Sequence, residues 1–181
     1  MYIPLKPLCY TPPTDPKNIS ALYKPFSEIT HAALLHALSE LHVSLDVTHI
    51  SSLMEAYNSL ATFPDVAVAL ENLASDPELE AYVFSNGSEE MVASCVRESP
   101  GLGPYQNVFK GIVTVEDVMR FKPDRVVYEH FLNKVGKQDD AAGTWLVSSN
   151  PFDVVGAKAV GIKGKCIFAD IFLRMTRNSI H

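Results

Sequence analysis

Apolar positions along this chain recur at two spacings, and the change from one to the other divides it. In the first half they fall at helical steps. Leu34, Leu35, Leu38 and Leu41 predict a helix over about residues 27–41, and Ile50, Leu53, Met54 and Tyr57 predict a second one capped by Thr48. Pro64 suits the first turn of a third helix, which turns Val66, Leu70 and Leu73 inward and ends at Asp76-Pro77. From Tyr82 onward, short apolar runs alternate with helical stretches. Tyr82-Val83-Phe84 reads as a buried strand that stops in Ser85-Asn86-Gly87, and a helix carrying Met91, Val92, Cys95 and Val96 follows before the breaker Ser99-Pro100-Gly101. A strand is expected over 111–114, with Thr114 to Asp117 resembling a capping box. A helix over 124–135 places Val127, His130 and Phe131 on one face with a half-buried Tyr128 beside them. A buried strand over 144–148, a helix over 154–160 stopped by Gly161, and a core strand over 165–169 complete the pattern.

Strand and helix alternate throughout the second half, which implies right-handed βαβ units and a mostly parallel sheet with helices on both faces. The first 17 residues contain Pro4, Pro7, Pro12, Pro13 and Pro16, so they allow only a short strand around 6–10. The expected organisation is a Rossmann-like core from 1–17 and 77–181, with 18–76 forming a helical insert and return helix. In such a sheet, ligands sit beyond the carboxyl ends of the strands, where N–H groups of the following helix point outward. Ser85 and Asn86 are therefore candidates for a binding wall, with those N–H groups as an anion or oxyanion site.

Composition narrows the classes. A chain of 181 residues with 47% hydrophobic and 20% charged residues has enough apolar surface for one core. Its net charge of −6, without a Lys/Arg cluster, argues against nucleic acid, and no apolar run approaches a membrane span. Three separated cysteines, Cys9, Cys95 and Cys166, with no CxxC pair fit a reducing, cytoplasmic setting. His31, His36, His42 and His49 lack an i, i+4 pair and are assigned to surface or packing roles rather than to a metal.

Three strand ends then converge: Phe84-Ser85-Asn86-Gly87, Arg120-Phe121-Lys122-Pro123 followed by Tyr128, and Val147-Ser148-Ser149-Asn150-Pro151-Phe152-Asp153-Val154-Val155-Gly156-Ala157-Lys158. In order and spacing they resemble the haloacid dehalogenase superfamily, specifically its L-2-haloacid dehalogenase branch. The Tyr23-Lys24-Pro25-Phe26 to Leu45-Asp46 stretch resembles part of that branch's helical cap. The resemblance implies an α/β fold, a haloacid dehalogenase-like Rossmannoid parallel sheet with a reduced helical cap inserted after the first strand. It also implies that Ser85, Lys122, Tyr128, Ser149, Asn150 and Asp153 hold substrate, nucleophile and water.

In that family an Asp at the end of the first strand, within Asp-x-x-Gly-Thr, attacks carbon. The only candidate here is Lys6-Pro7-Leu8-Cys9-Tyr10-Thr11; if Thr11 takes the Thr position, Pro7 stands where the nucleophile belongs and Tyr10 replaces the Gly. Proline offers no side-chain nucleophile. The family's cap helix with a substrate-binding Arg also has no counterpart in the 15 residues between Pro7 and Tyr23. The expectation is a cofactor-free enzyme performing non-hydrolytic acid/base chemistry, such as isomerisation, dehydration or cyclisation, on a small carbonyl or carboxylate compound of specialised-metabolite biosynthesis. Lys122 and Asp153 are its catalytic candidates, and Ser85, Asn86, Tyr128, Ser149, Asn150 and Thr11 its substrate-binding ones. The alternatives are a catalytically dead binding or scaffold protein and a dehalogenase-type hydrolase that uses Asp15 or Cys9. For Lys122 and Asp153 the competing reading is an ion pair that only stabilises the sheet end; for Tyr128 it is a ring packed for its own sake. The shortened cap is expected to expose apolar surface that a second copy covers, giving a homodimer.

Overall fold

The computed structural model describes residues 22–167. The expected first strand at 6–10, Thr11, Cys9 and Asp15, and the last residues of the expected strand at 165–169 all lie outside this range.

Three helices come first: α1 (Phe26–Glu40), α2 (Val47–Ala56) and α3 (Val66–Ser75). The α2 cap is Asp46 rather than Thr48. Its carboxylate accepts from the His49 N–H at 2.9 Å, which places Thr48 within the first turn. Pro64 sits in the turn before α3 rather than inside it. Neither α1 nor α2 buries a residue fully, and Leu41, Val47 and Leu53 stay exposed. His31, His36, His42 and His49 are exposed.

The second half alternates as its periodicity requires: β1 (Ala81–Ser85), α4 (Glu89–Glu98), β2 (Phe109–Thr114), α5 (Arg125–Lys134), β3 (Trp145–Ser148), α6 (Pro151–Ala159) and β4 (Lys163–Cys166). β1 pairs parallel with β2, and β3 pairs parallel with β4. A strand followed by a helix and a parallel neighbour is the βαβ unit, so within each of these two-stranded sheets the strands point the same way and their carboxyl ends share one side. Polar side chains set the helix starts: Ser88 accepts from Met91 N–H at 3.3 Å and Asp124 from Val126 N–H at 3.0 Å. The expected capping box at Thr114 is absent. Thr114 is the buried last residue of β2, and a single 3-10 turn over Glu116–Val118 follows without a side-chain cap.

One core joins the two strand pairs. Val113, Tyr128, Phe131, Leu132, Ala157 and Ile162 form its buried centre, and Tyr82, Phe84 and Leu146 pack against it. Helix α5 thus lies beneath both pairs, with the Phe84 ring 4.6 Å from Phe131 and 5.8 Å from Tyr128. Gly161 leaves α6 at φ 91°, a left-handed turn that favours glycine and stops the helix before β4.

The helices before β1 are tied to the sheet layer at Ser99. Its hydroxyl is 1% exposed and donates to the Leu60 carbonyl at 2.6 Å across 39 residues. A side chain on Gly101 would collide with Thr62, so the 60–62 segment lies directly over the end of α4. Replacing Ser99 by Ala removes this hydrogen bond. This should cost about 0.5–1.5 kcal/mol and lower the thermal midpoint measured by circular dichroism.

Candidate active site

The strand β1 ends in Phe84-Ser85, and the chain must turn there because helix α4 starts four residues later. Ser85 drives that turn: its Oγ accepts from the Gly87 N–H at 2.9 Å. A Cβ on Gly87 would press on Val92, so only glycine lets the turn lie this close to α4. Asn86 reaches across the layer and its Oδ1 accepts from the Lys122 N–H at 2.9 Å. Asn86 therefore fixes the backbone of Lys122.

Lys122 follows the 3-10 turn after β2, with a cis bond to Pro123. Its Nζ lies 4.0 Å above the Phe84 ring and donates to the Phe84 carbonyl and to Asp153 Oδ2, each at 3.0 Å. Both side chains of this pair are only 7% exposed. Burial pushes the Lys122 ammonium below the ordinary lysine range, and Asp153 pulls it back up through its charge and hydrogen bond. An ammonium carries three donors, of which two are used among the described residues.

Asp153 sits in the first turn of α6, fully committed on both oxygens. Oδ2 holds Lys122, and Oδ1 accepts from the Tyr128 hydroxyl at 2.8 Å. Tyr128 is 0% exposed rather than half-buried, because its ring crosses over α6 at Gly156. Any Cβ at 156 would fall about 2.6 Å from the Tyr128 ring, which explains why glycine occupies a helix interior. Burial first, then Asp153, pushes the Tyr128 phenol far above its usual value, so it stays a neutral donor. Among the described residues no cluster of three His, Cys, Asp or Glu side chains could hold a metal ion.

Asn86, Lys122, Tyr128 and Asp153 thus form one connected network, and Ser85 stands next to it in sequence with its Oγ on the Gly87 N–H. Ser149 and Asn150 lie beside it at the α6 N-terminus, exposed, with no side-chain hydrogen bond among the described residues. Part of the expected anion site on the α4 N–H groups is occupied from within the protein: Glu116 Oε2 accepts from the Glu89 N–H at 2.7 Å, Ser88 accepts from Met91 and Ser85 from Gly87. Sequence reasoning missed an aromatic wall next to Lys122. The Tyr23 ring stacks on Phe121 at 5.2 Å, and Phe26 meets Phe121 edge-on at 6.4 Å. Only the neighbouring position of Phe121 and Lys122 hinted at it. An open groove of about 280 Å³ lies elsewhere, among Ser27, Met54, Ser88 and Met91, and shares no residue with the network.

The chain belongs to the haloacid dehalogenase-like hydrolase family, whose pattern it matches over residues 18–161. It is 30% identical to (S)-2-haloacid dehalogenase 4A of Burkholderia cepacia across 77% of this chain and 57% of that protein. It is 31% identical to haloacetate dehalogenase H-2 of Moraxella sp. (strain B), across 77% of this chain and 59% of that protein. The chain therefore spans somewhat over half the length of the curated relatives it matches. Among solved structures, the L-2-haloacid dehalogenase of Xanthobacter autotrophicus with chloropropionic acid covalently bound superposes with a TM-score of 0.73 at 27% identity. That match covers 91% of this chain and 64% of the other. The α/β fold with parallel strands is thus the family's fold.

Two substitutions test the network. Gly156→Ala should push Tyr128 off Asp153 and destabilise the fold by about 1–3 kcal/mol through overpacking. Asp153→Asn should cost more, about 3–5 kcal/mol, because it leaves the Lys122 charge buried and unpaired. Urea unfolding curves of the two variants rank the effects.

Proposed function

We propose that this protein is a dehalogenase-type hydrolase of small 2-halocarboxylates, with Lys122 as the fixed cation of its site. The observation that carries the reading is the buried Lys122 Nζ, held at 3.0 Å by Phe84 O and by Asp153. A cation fixed in advance in a low-dielectric setting stabilises negative charge that develops during reaction. The named relatives, which act on haloacids, support the substrate class.

The attacking group comes from outside the network, since its one carboxylate is fully engaged. Asp15 is the candidate. It precedes Tyr23 by eight residues, which reach at most about 29 Å when extended, and Tyr23 is anchored on Phe121 beside Lys122. A carboxylate oxygen forms a bond to the substrate carbon while the carbon–halogen bond breaks and its electron pair leaves as halide. Water then cleaves the ester, restoring the carboxylate and releasing a 2-hydroxy acid and a proton. Cys9 is excluded by the same balance: a thiolate would give a thioether, which water does not cleave.

A second reading, acid/base chemistry without hydrolysis, is favoured by one observation. Pro7 stands where the resemblance places the nucleophile. Halide release from 2-chloropropionate separates the two. The hydrolase reading expects release, a loss of about 10²–10³-fold in Lys122→Ala and of about 10⁴-fold or more in Asp15→Asn. No release above the uncatalysed rate sinks it; release unaffected by Asp15→Asn moves the nucleophile elsewhere.

The rate should also report the Lys122 proton. A cation with a lowered pKa is charged below that value and loses its proton as pH rises through it. The alkaline limb of halide release should therefore fall before the ordinary lysine range, and Lys122→Arg should move the limb to higher pH. A pH-rate profile of both proteins checks this.

A further inference from the structure

Asn86 is the one asparagine of this chain that glycine follows. That pairing has a chemistry of its own. The backbone nitrogen after an asparagine can attack the side-chain carbonyl carbon, and a glycine there offers no side chain to block the approach. The new N–Cγ bond closes a cyclic imide while the Cγ–Nδ2 bond breaks, and the amide group leaves as ammonia with the proton from the attacking nitrogen. Water then opens the imide at either carbonyl, giving aspartate or isoaspartate. No oxidant, metal or second protein is needed.

The fold cannot exchange this glycine for a residue that would slow ring closure. A Cβ at 87 would fall 2.8 Å from Val92 and 3.2 Å from the Ser85 hydroxyl. Both reacting groups are nevertheless held elsewhere. The Gly87 N–H, whose nitrogen would attack, donates to Ser85 Oγ at 2.9 Å. The Asn86 carbonyl oxygen, which must turn with the carbon under attack, accepts from the Lys122 N–H at 2.9 Å. The backbone just before is fixed as well, because the Phe84 carbonyl accepts from the Lys122 ammonium at 3.0 Å. Ring closure needs its reacting atoms aligned at near contact. Here each of the two is pinned to a different partner.

We propose that Asn86-Gly87 is a latent self-modification site, kept in its amide form by the hydrogen bond from Gly87 to Ser85. Ser85 is then a positioning residue that guards the neighbouring amide. Conversion proceeds through an opened state in which residues 85–87 leave their partners, at a rate set by how often that state is reached. The product changes the site itself. Aspartate at 86 brings a new negative charge into the network that holds the Lys122–Asp153 pair, and isoaspartate lengthens the main chain by one carbon between β1 and α4. The proposal does not depend on which reaction the site catalyses.

The full chain is incubated at mildly alkaline pH with and without urea and digested at intervals. Mass spectrometry follows the amide-to-acid change in the peptide carrying Asn86, and chromatography resolves the isoaspartate form. The folded chain should convert at least about tenfold more slowly than the chain in urea, since the bond to Ser85 and its surroundings must open first. Ser85→Ala, with its far-ultraviolet dichroism checked, should convert about two- to tenfold faster than the wild-type chain in buffer. Ser99→Ala, which weakens the fold at another place, should leave that rate unchanged. Equal rates in buffer and urea overturn the proposal, and so does a folded Ser85→Ala that converts at the wild-type rate. Equal acceleration by Ser99→Ala overturns it too, because the protection then belongs to the fold as a whole. Where Ser85→Ala does not fold, hydrogen exchange of the wild-type Gly87 amide decides: a protected amide with slow conversion supports the guard, and an unprotected one overturns it.

Discussion

A buried ammonium must be surrounded by acceptors, and the arrangement around Lys122 follows from that demand. An unpaired charge in this position would cost several kcal/mol. Two acceptors come from different parts of the chain, the Phe84 carbonyl at the end of β1 and the Asp153 carboxylate on α6. Asp153 in turn needs a donor for its second oxygen, which brings the Tyr128 hydroxyl from α5. Tyr128 reaches it only because residue 156 is glycine. Each requirement recruits another element, so the charge ties β1, α5 and α6 together more tightly than their apolar contacts alone would. The same rigidity serves chemistry, since a charge already held in place need not be reorganised during reaction.

Periodicity made most of the elements legible, because helices and strands bury their apolar residues at different steps and this chain keeps the two apart. The failures share a cause. Thr48 and Asp46 are both acceptable caps, and local pattern does not tell which carboxylate or hydroxyl meets the free N–H groups. Thr114 fits a capping box in sequence, yet tertiary pairing extends β2 through it. At the α4 N-terminus the Glu89 N–H is met by Glu116, 27 residues away, a partner that no local pattern announces. Lys122 and Asp153 stand 31 residues apart, and no spacing rule would have paired them. They were found through resemblance to a family. Tyr23 against Phe121 had no such help, because aromatic stacking across nearly a hundred residues leaves no local trace.

Burial of the strands was the other misjudgement, and it is informative. Thr144 to Ser148 reads as a core strand by composition, yet Trp145 and Val147 lie open. Composition registers what a segment is suited to bury against and is silent about whether that partner is among its immediate neighbours. The same holds for α1 and α2, whose apolar stripes are correctly spaced but not fully buried by the described residues.

The network also limits which reactions it can support. Its one carboxylate, Asp153, has both oxygens engaged, so it orients Lys122 and is not free to attack carbon. Tyr128, with its phenol pushed far up by burial and by Asp153, donates a hydrogen bond and does not act as a base near neutrality. Lys122 is the one member whose proton is made easier to remove. Alone, then, the network offers electrostatic stabilisation and one transferable proton. Ester-forming hydrolysis and simple proton transfer would use this frame identically. What separates them is whether a second carboxylate stands beside Lys122, since the one in the network, Asp153, is already held by Lys122 and Tyr128.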